Sequence, residues 1–568
     1  MNELTLTGCT PEPLMDYLKA LGVLRLVSEQ KDKQARGFWR NDSFVLCSSL
    51  GEDGLVEFFL EEYKPTPIVV PWSGGDFFGV NASGPPGPFK DTPTSTKVIE
   101  SFLATQSPRL DRYRKCILEV LKAMDVAGIK KKADIEGTSK KKKKCQFIAT
   151  LRSRISDQCL DWIDTAAVLE EDQAHLNIFL GSGGGSDGNT HFSDNFMQNL
   201  WECLPDFDNQ RTKKKNLDER TRTQNAIFGT PISSLVAKRT ASLYDSGLIG
   251  GPNAGQGFER GSYLNPWDFV LCLEGAIVFS GAPTKRYGVG YPGQAAFPFQ
   301  VEMTPVGYGS AVQKERGARE IWMPLWQNPA RFPELRIVFA EGRATYRQSQ
   351  ARNGLDFARA VALLGIDRGI RSFVRYGIVK GRVGGENYNT AVALSRPDVC
   401  YREDVDLLGE IDPWLDGFRK AISDKNTPPR FQATLRQIER SIFDFCQYGK
   451  SSRFADILCS FGKAERELAG AEKFREDKRI APVGGLTQDW LRAANDGSVE
   501  FELALALACV YDPASKIGPI RANLEPVTNA QKPQWAEKER CVVWNQADLT
   551  SNLCAVLERR LMDAKRAG

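Results

Sequence analysis

The sequence predicts a multi-domain α+β protein, with a mixed α/β N-terminal and central part and a mainly α-helical C-terminal part. Three observations carry this. A chain of 568 residues exceeds what one hydrophobic core organises. Strand-like and helix-like apolar patterns interleave up to roughly residue 400. Beyond about Val405 apolar residues recur at helical spacing in Leu407–Ile422, Phe431–Tyr448, Arg453–Ala469 and Ala547–Ala564.

Taken in order, Leu4–Thr7 alternates as a strand. Thr10 is an expected N-cap with Pro11 at the first helical position, opening a helix that runs to about Gln30. Phe38–Leu46 and Ile68–Val70 read as strands, separated by a helix from about Asp53 to Tyr63. The Pro- and Gly-rich stretch from Pro71 to Pro93 is loop, and helical pattern resumes from Lys97 to Ala127. These elements make an N-terminal mixed α/β region, residues 1–128. Residues 129–145 hold eight lysines against Asp134 and Glu136 and are expected to be a mobile lysine-rich loop. A central α+β nucleic-acid-binding region follows over 146–400. Strands are expected there at Trp267–Phe279, Phe297–Met303, Glu320–Leu325 and Leu335–Ala340, and a helix at Gly354–Gly365. Residues 401–568 form the helical C-terminal region.

Charge is concentrated locally. The whole chain carries only +4, yet Arg343–Arg382 holds nine basic residues against two acidic ones, a surplus of seven. Arg359 lies on the Gly354–Gly365 helix. If the chain stays helical beyond it, Arg368, Arg371 and Arg375 fall on one stripe at i, i+3 and i+7. Guanidinium groups aligned this way engage phosphates through paired donors, which points to a polyanion partner. A solvated, ion-paired helix face explains the same charges. Lys140, Lys141, Lys142, Lys143 and Lys144, and the shorter run Lys213–Lys215, suit backbone contact that ignores sequence; a solubilising surface loop accounts for them equally simply. Gly183, Gly184 and Gly185, with Asp187 and Asn189, form a glycine loop leading to Ser193, an expected helix N-cap. Such a loop offers backbone N–H groups to an anion, although a flexible connector fits the composition as well. No Walker A sequence or dinucleotide fingerprint accompanies it.

Other residue types narrow the chemistry. Only His175 and His191 exist, so imidazole-based hydrolysis and histidine-rich zinc sites are disfavoured. No catalytic residue, metal site or cofactor is indicated, and no enzymatic activity is expected. Thirteen cysteines without a C-x-x-C pair suit reduced thiols in a cytosol. The most apolar stretch, Phe269–Phe279, is interrupted by Glu274 and far too short to span a membrane. With no secretory signal at Met1–Leu6, a cytoplasmic protein with no membrane partner is expected.

Several long motifs resemble a known family. They are Leu6–Leu26, Pro71-Trp-Ser-Gly-Gly75, Asp187-Gly-Asn189 with Phe192–Gln198, Asn265-Pro-Trp-Asp-Phe269 and Gly307–Ala311. Gly354–Arg359, Asp367–Ile370 and Arg375-Tyr-Gly377 complete the set. In order and over nearly the whole chain, they look like the large subunit of type I-G (formerly I-U) CRISPR surveillance complexes. The lysine-rich insert at 130–144 lies outside that pattern. The resemblance implies a non-catalytic subunit that binds target DNA, helps recognise the short flanking motif and stabilises the opened duplex. The implied partners are guide RNA (crRNA), double-stranded target DNA, the backbone and guide-processing subunits, and the helicase-nuclease that this subunit helps to recruit. A carboxylate-dependent metal nuclease and a scaffold contacting only proteins are the competing readings.

Overall fold

The computed structural model describes residues 1–72, 93–129, 134, 141–170, 173–180, 192–210, 216–232, 235–239, 243–249, 262–284, 294–304, 319–340, 342, 345–346, 349–364, 369–383, 386–424, 427–510, 520–527, 533–536, 543 and 548–567. The fold is α+β, and the chain packs as two units. The first comprises Met1–Met303, Ala311–Arg352 and Ile366–Val399; the second comprises Thr304–Ser310, Asn353–Gly365 and Cys400–Gly568.

The first unit is built on two antiparallel four-stranded sheets and a central pair of helices. One sheet orders its strands Asn2–Leu6, Ser43–Ser48, Arg36–Arg40 and Ala330–Arg331; the other orders Gln300–Glu302, Arg319–Trp326, Ile370–Val383 and Glu386–Ser395. The expected strand Phe38–Leu46 is a hairpin, because Asn41 and Asp42 take left-handed φ of 48° and 59° and turn the chain back. The first helix, Leu14–Gln30, buries fourteen of its residues. It starts later than the Thr10–Pro11 pattern suggests. Pro13 disfavours helical backbone at Glu12, so the helix begins after it, and the Thr10 hydroxyl donates to the Glu12 carbonyl at 2.6 Å.

The partner helix corrects another expectation. Trp267–Phe279 is not a strand: Pro266–Ala276 is a helix, with Asn265 accepting from the Trp267 N–H at 3.2 Å and Pro266 at its first position. Ten of its residues are buried, so no polar face marks its period. It crosses Leu14–Gln30 through Gly22 and Gly275. A Cβ on Gly275 would stand 1.9 Å from the Leu18 carbonyl oxygen, and one on Gly22 would stand 2.2 Å from that of Leu271. Gly275→Ala must push the two helices apart, and the expected cost is about 1–3 kcal/mol. An unchanged urea midpoint in the folded variant would contradict this crossing.

Smaller departures have equally local causes. Lys97–Ala127 divides into Pro93–Ala104 and Asp111–Val126, because Pro108 cannot continue a helix. Phe332–Ala340 is a helix rather than a strand at Leu335–Ala340. Ile68–Val70 pairs with no strand: the Ile68 carbonyl accepts from the Tyr113 hydroxyl at 2.9 Å, and the Val70 N–H donates to Ser193 Oγ. Ser193 lies inside the Phe192–Cys203 helix rather than capping it.

The second unit is helical. Asp412–Ile422, Pro429–Tyr448, Ser451–Ala469 and Leu549–Ala567 form close to the segments expected from amphipathic spacing, and Gly354–Leu364 packs against Pro429–Tyr448. Phe418, Phe431, Leu468 and Ile480 centre its core, and Phe474 stacks on Phe431 at 4.4 Å.

Candidate nucleic-acid interface

The most cationic described element is the Lys141–Arg154 helix, with sequence KKKKCQFIATLRSR. Lys141, Lys142, Lys143 and Lys144 form its first turn. The helix therefore starts inside the segment expected to be a loop, because Cys145, Phe147, Ile148 and Leu151 give it an apolar face to bury. That face fixes its orientation and leaves Lys141, Lys142, Arg152 and Arg154 exposed, with Lys143 and Lys144 half-buried. Six cations stand on fourteen residues without one acid. Four of them crowd the N-terminal end, where the helix dipole disfavours positive charge and favours an anion. Arg152 is partly engaged: Asp164 accepts from its guanidinium at 2.7 and 3.2 Å, and these hydrogen bonds raise the pKa of Arg152. Lys142 and Lys144 also make contacts within the molecule.

The arginine stripe does not form. Ile370–Val383 is a strand, so Arg371 and Arg375 stand on extended backbone rather than successive helical turns. Their environments are opposite. Ser372 pairs with Leu325 and Ile370 with Trp326, leaving Arg371 as the extra residue of a bulge, and its side chain is exposed. Arg375 is 1% exposed. Its Nη2 and Nε donate to Glu320 Oε2 at 2.6 and 3.0 Å, its guanidinium lies 5.8 Å from the Trp322 ring centre, and Trp322 Nε1 donates to Glu320 Oε1 at 3.0 Å. Arg359 is likewise buried, donating to Asp412 Oδ1 at 2.7 Å and to the Leu408 carbonyl at 3.3 Å within the helical unit. Arg359 and Arg375 thus leave the set of phosphate contacts, since both charges are neutralised in the interior. Arg368, Lys140, Gly183, Gly184, Gly185, Asp187 and Asn189 lie outside the described residues.

A structural role for Arg375 has a separable signature. Arg375→Lys keeps the charge but loses one of two donors to Glu320, so it should lower stability by about 2 kcal/mol. If the chain binds DNA, the salt dependence of that binding should stay at the wild-type value. A shallower salt slope would return Arg375 to the binding surface.

One feature that sequence reasoning missed is a groove of about 940 Å³ in the first unit, lined by Glu29, Glu61, Glu62, Lys64, Arg109 and Asp206 among others. Arg109 donates to Asp206 and to the Leu60 carbonyl, so its charge is already matched. Glu62 is paired with Lys31 and Glu29 with Arg25, and Lys64 also lines the groove, so it offers no concentrated charge of either sign. Its lining comes from segments up to 177 positions apart in sequence, counting from Glu29 to Asp206, and no local pattern links them.

Among the described residues, no three His, Cys, Asp or Glu side chains converge as a metal site, and no helix is long and apolar enough to cross a membrane. No protein-family model and no curated protein matches the chain.

Proposed function

We propose that the chain is a non-catalytic, cytoplasmic nucleic-acid-binding protein, the large subunit of an RNA-guided type I-G CRISPR effector complex. The observation that carries the nucleic-acid reading is the Lys141–Arg154 helix: six cations, no acid, and an apolar face that anchors it. Such an element grips a phosphate backbone without reading sequence. Exposed Arg371 adds a further cation, on a bulge of the second sheet. The motifs running from Leu6–Leu26 to Arg375-Tyr-Gly377 support the assignment to that complex. In this reading guide pairing reads the target, and the protein supplies backbone contacts and flanking-motif recognition. Its partners are guide RNA, target duplex, the backbone and guide-processing subunits, and the helicase-nuclease.

The test is to recover the tagged full chain from cells that co-express the neighbouring operon proteins and a guide RNA. Stoichiometric guide RNA with repeat-derived ends is the expected result. Recovery free of RNA, with protein partners only, would favour the scaffold reading. Carboxylate-dependent cleavage of labelled DNA with Mg²⁺ or Mn²⁺ would favour the nuclease.

A further inference from the structure

An apolar helix in the second unit lies uncovered. Val499–Ala508, with sequence VEFELALALA, holds eight apolar residues and two acids, yet none of its residues is buried. Ser498 caps it, its hydroxyl accepting from the Phe501 N–H at 3.1 Å. Phe501 and Leu505 on one side are half-buried. On the opposite side Val499, Leu503 and Ala506 are exposed, Val499 at 66% and Leu503 at 59%. Their spacing of four and then three residues keeps them on one stripe, the seam spacing of paired helices.

A second such stripe lies on Leu549–Ala567, a helix anchored by buried Val556 and Arg560. Cys554, Leu557 and Leu561 are exposed on it at a spacing of three and then four, Leu557 at 54% and Leu561 at 63%. Apolar surface of this kind, rimmed by charge, marks a protein–protein contact. Both stripes are open, so neither covers the other within one chain.

The stripes are complementary to each other. Run antiparallel, the four-then-three spacing of the first meets the same spacing on the second, and three layers form. Val499 falls on Leu561, Leu503 on Leu557, and Ala506 on Cys554, so that two small residues share the third layer. Charge matches as well. Val499–Ala508 carries Glu500 and Glu502 and no cation, a net of −2. Leu549–Ala567 carries Arg559, Arg560, Lys565 and Arg566 against Glu558 and Asp563, a net of 4 − 2 = +2. Antiparallel packing also opposes the helix dipoles and sets Glu500 and Glu502 at the end where Lys565 and Arg566 stand. Pairing either helix with its own copy sets like charge against like.

We propose that these stripes are a self-association surface. Val499–Ala508 of one copy packs antiparallel on Leu549–Ala567 of a second copy, and the second copy returns the same contact. The product is a closed two-fold dimer that holds the contact twice. Dimerisation in this form needs no nucleic acid.

The experiment is sedimentation velocity of the nuclease-treated full chain over roughly 1–100 μM. The wild-type chain should shift from monomer to dimer as concentration rises, with no larger species. Leu503→Glu and Leu557→Lys fall in one layer, and each damages both contacts of the dimer. Each should raise the dimer dissociation constant on the order of 100-fold or more. Both side chains are exposed in the single chain, so the urea midpoint of each variant should stay at the wild-type value. Mixing the two variants in equal amounts should restore a dimer. The mixed pair keeps one wild-type contact and sets the two introduced charges, opposite in sign, against each other in the second. A wild-type chain that stays monomeric throughout would overturn the proposal, as would a dimer that survives both substitutions. Two monomeric variants that fail to pair when mixed would overturn it as well. So would loss of the dimer with Leu503→Glu but not with Leu557→Lys, which places Val499–Ala508 on its own copy.

Discussion

Glu274→Ala is expected to cost about 3–5 kcal/mol, the loss typical when one member of a buried ion pair is removed. The carboxylate is fully buried at the centre of the first unit. Its Oε2 accepts from Arg25 Nη1 at 2.8 Å and from the Thr66 hydroxyl at 2.7 Å; its Oε1 accepts from the Thr66 N–H at 2.8 Å and from the Tyr63 hydroxyl. Alanine would remove the carboxylate those donors share, leaving an arginine of 4% exposure with Glu29 at 3.3 Å as its remaining ion-pair partner beside the residue-274 carbonyl and the Thr66 hydroxyl. The measurement is the urea midpoint with its slope. The double variant Arg25→Met with Glu274→Leu should recover much of the loss, because paired replacement removes both charges and fills the space. A single variant within about 1 kcal/mol of wild type, on the same scale, would show that the network is not needed for stability.

That network shows where sequence reasoning stops. Glu274 interrupts an apolar run, which is enough to reject a membrane span but says nothing about Arg25, 249 positions earlier. The neighbouring pair behaves in the same way: Lys19 is buried and donates to Asp268 at 2.7 Å, again across 249 positions. Helical elements with one solvent face, such as Pro429–Tyr448 and Ser451–Ala469, were legible because alternating burial leaves a period in the sequence. Pro266–Ala276, buried on every side, had none.

The candidate site was legible to the same degree. Charge counting located cationic segments, but partners decide whether a cation faces water. Arg375 and Arg371 differ by four positions and share a strand, yet a bulge exposes one while Glu320 neutralises the other. Charge density alone cannot separate them, since the deciding residue stands 55 positions away. Lys141–Lys144 went the other way: a run that reads as loop becomes the opening turn of a helix through the apolar residues behind it.

Replacing Lys141, Lys142, Lys143 and Lys144 together with glutamine is expected to move binding and stability in opposite directions. Glutamine has nearly the helix propensity of lysine, so the helix should persist. Removing positive charge from its N-terminal turn relieves an unfavourable dipole interaction of about 0.3–1 kcal/mol per exposed charge at low salt, so the melting temperature should hold or rise. DNA affinity should fall by on the order of 10²–10³-fold near 0.1 M salt, and the slope of log K against log salt should flatten by about 0.9 for each phosphate that is no longer neutralised. Lys142 and Lys144 have contacts within the molecule and Lys143 and Lys144 are half-buried, so Lys141 and Lys142, the most exposed, should account for most of the change. Opposed shifts separate a binding surface from a structural one: loss of a structural lysine turn lowers stability, whereas loss of a phosphate grip lowers affinity alone. A folded quadruple variant with the wild-type salt slope would remove this helix from the nucleic-acid surface.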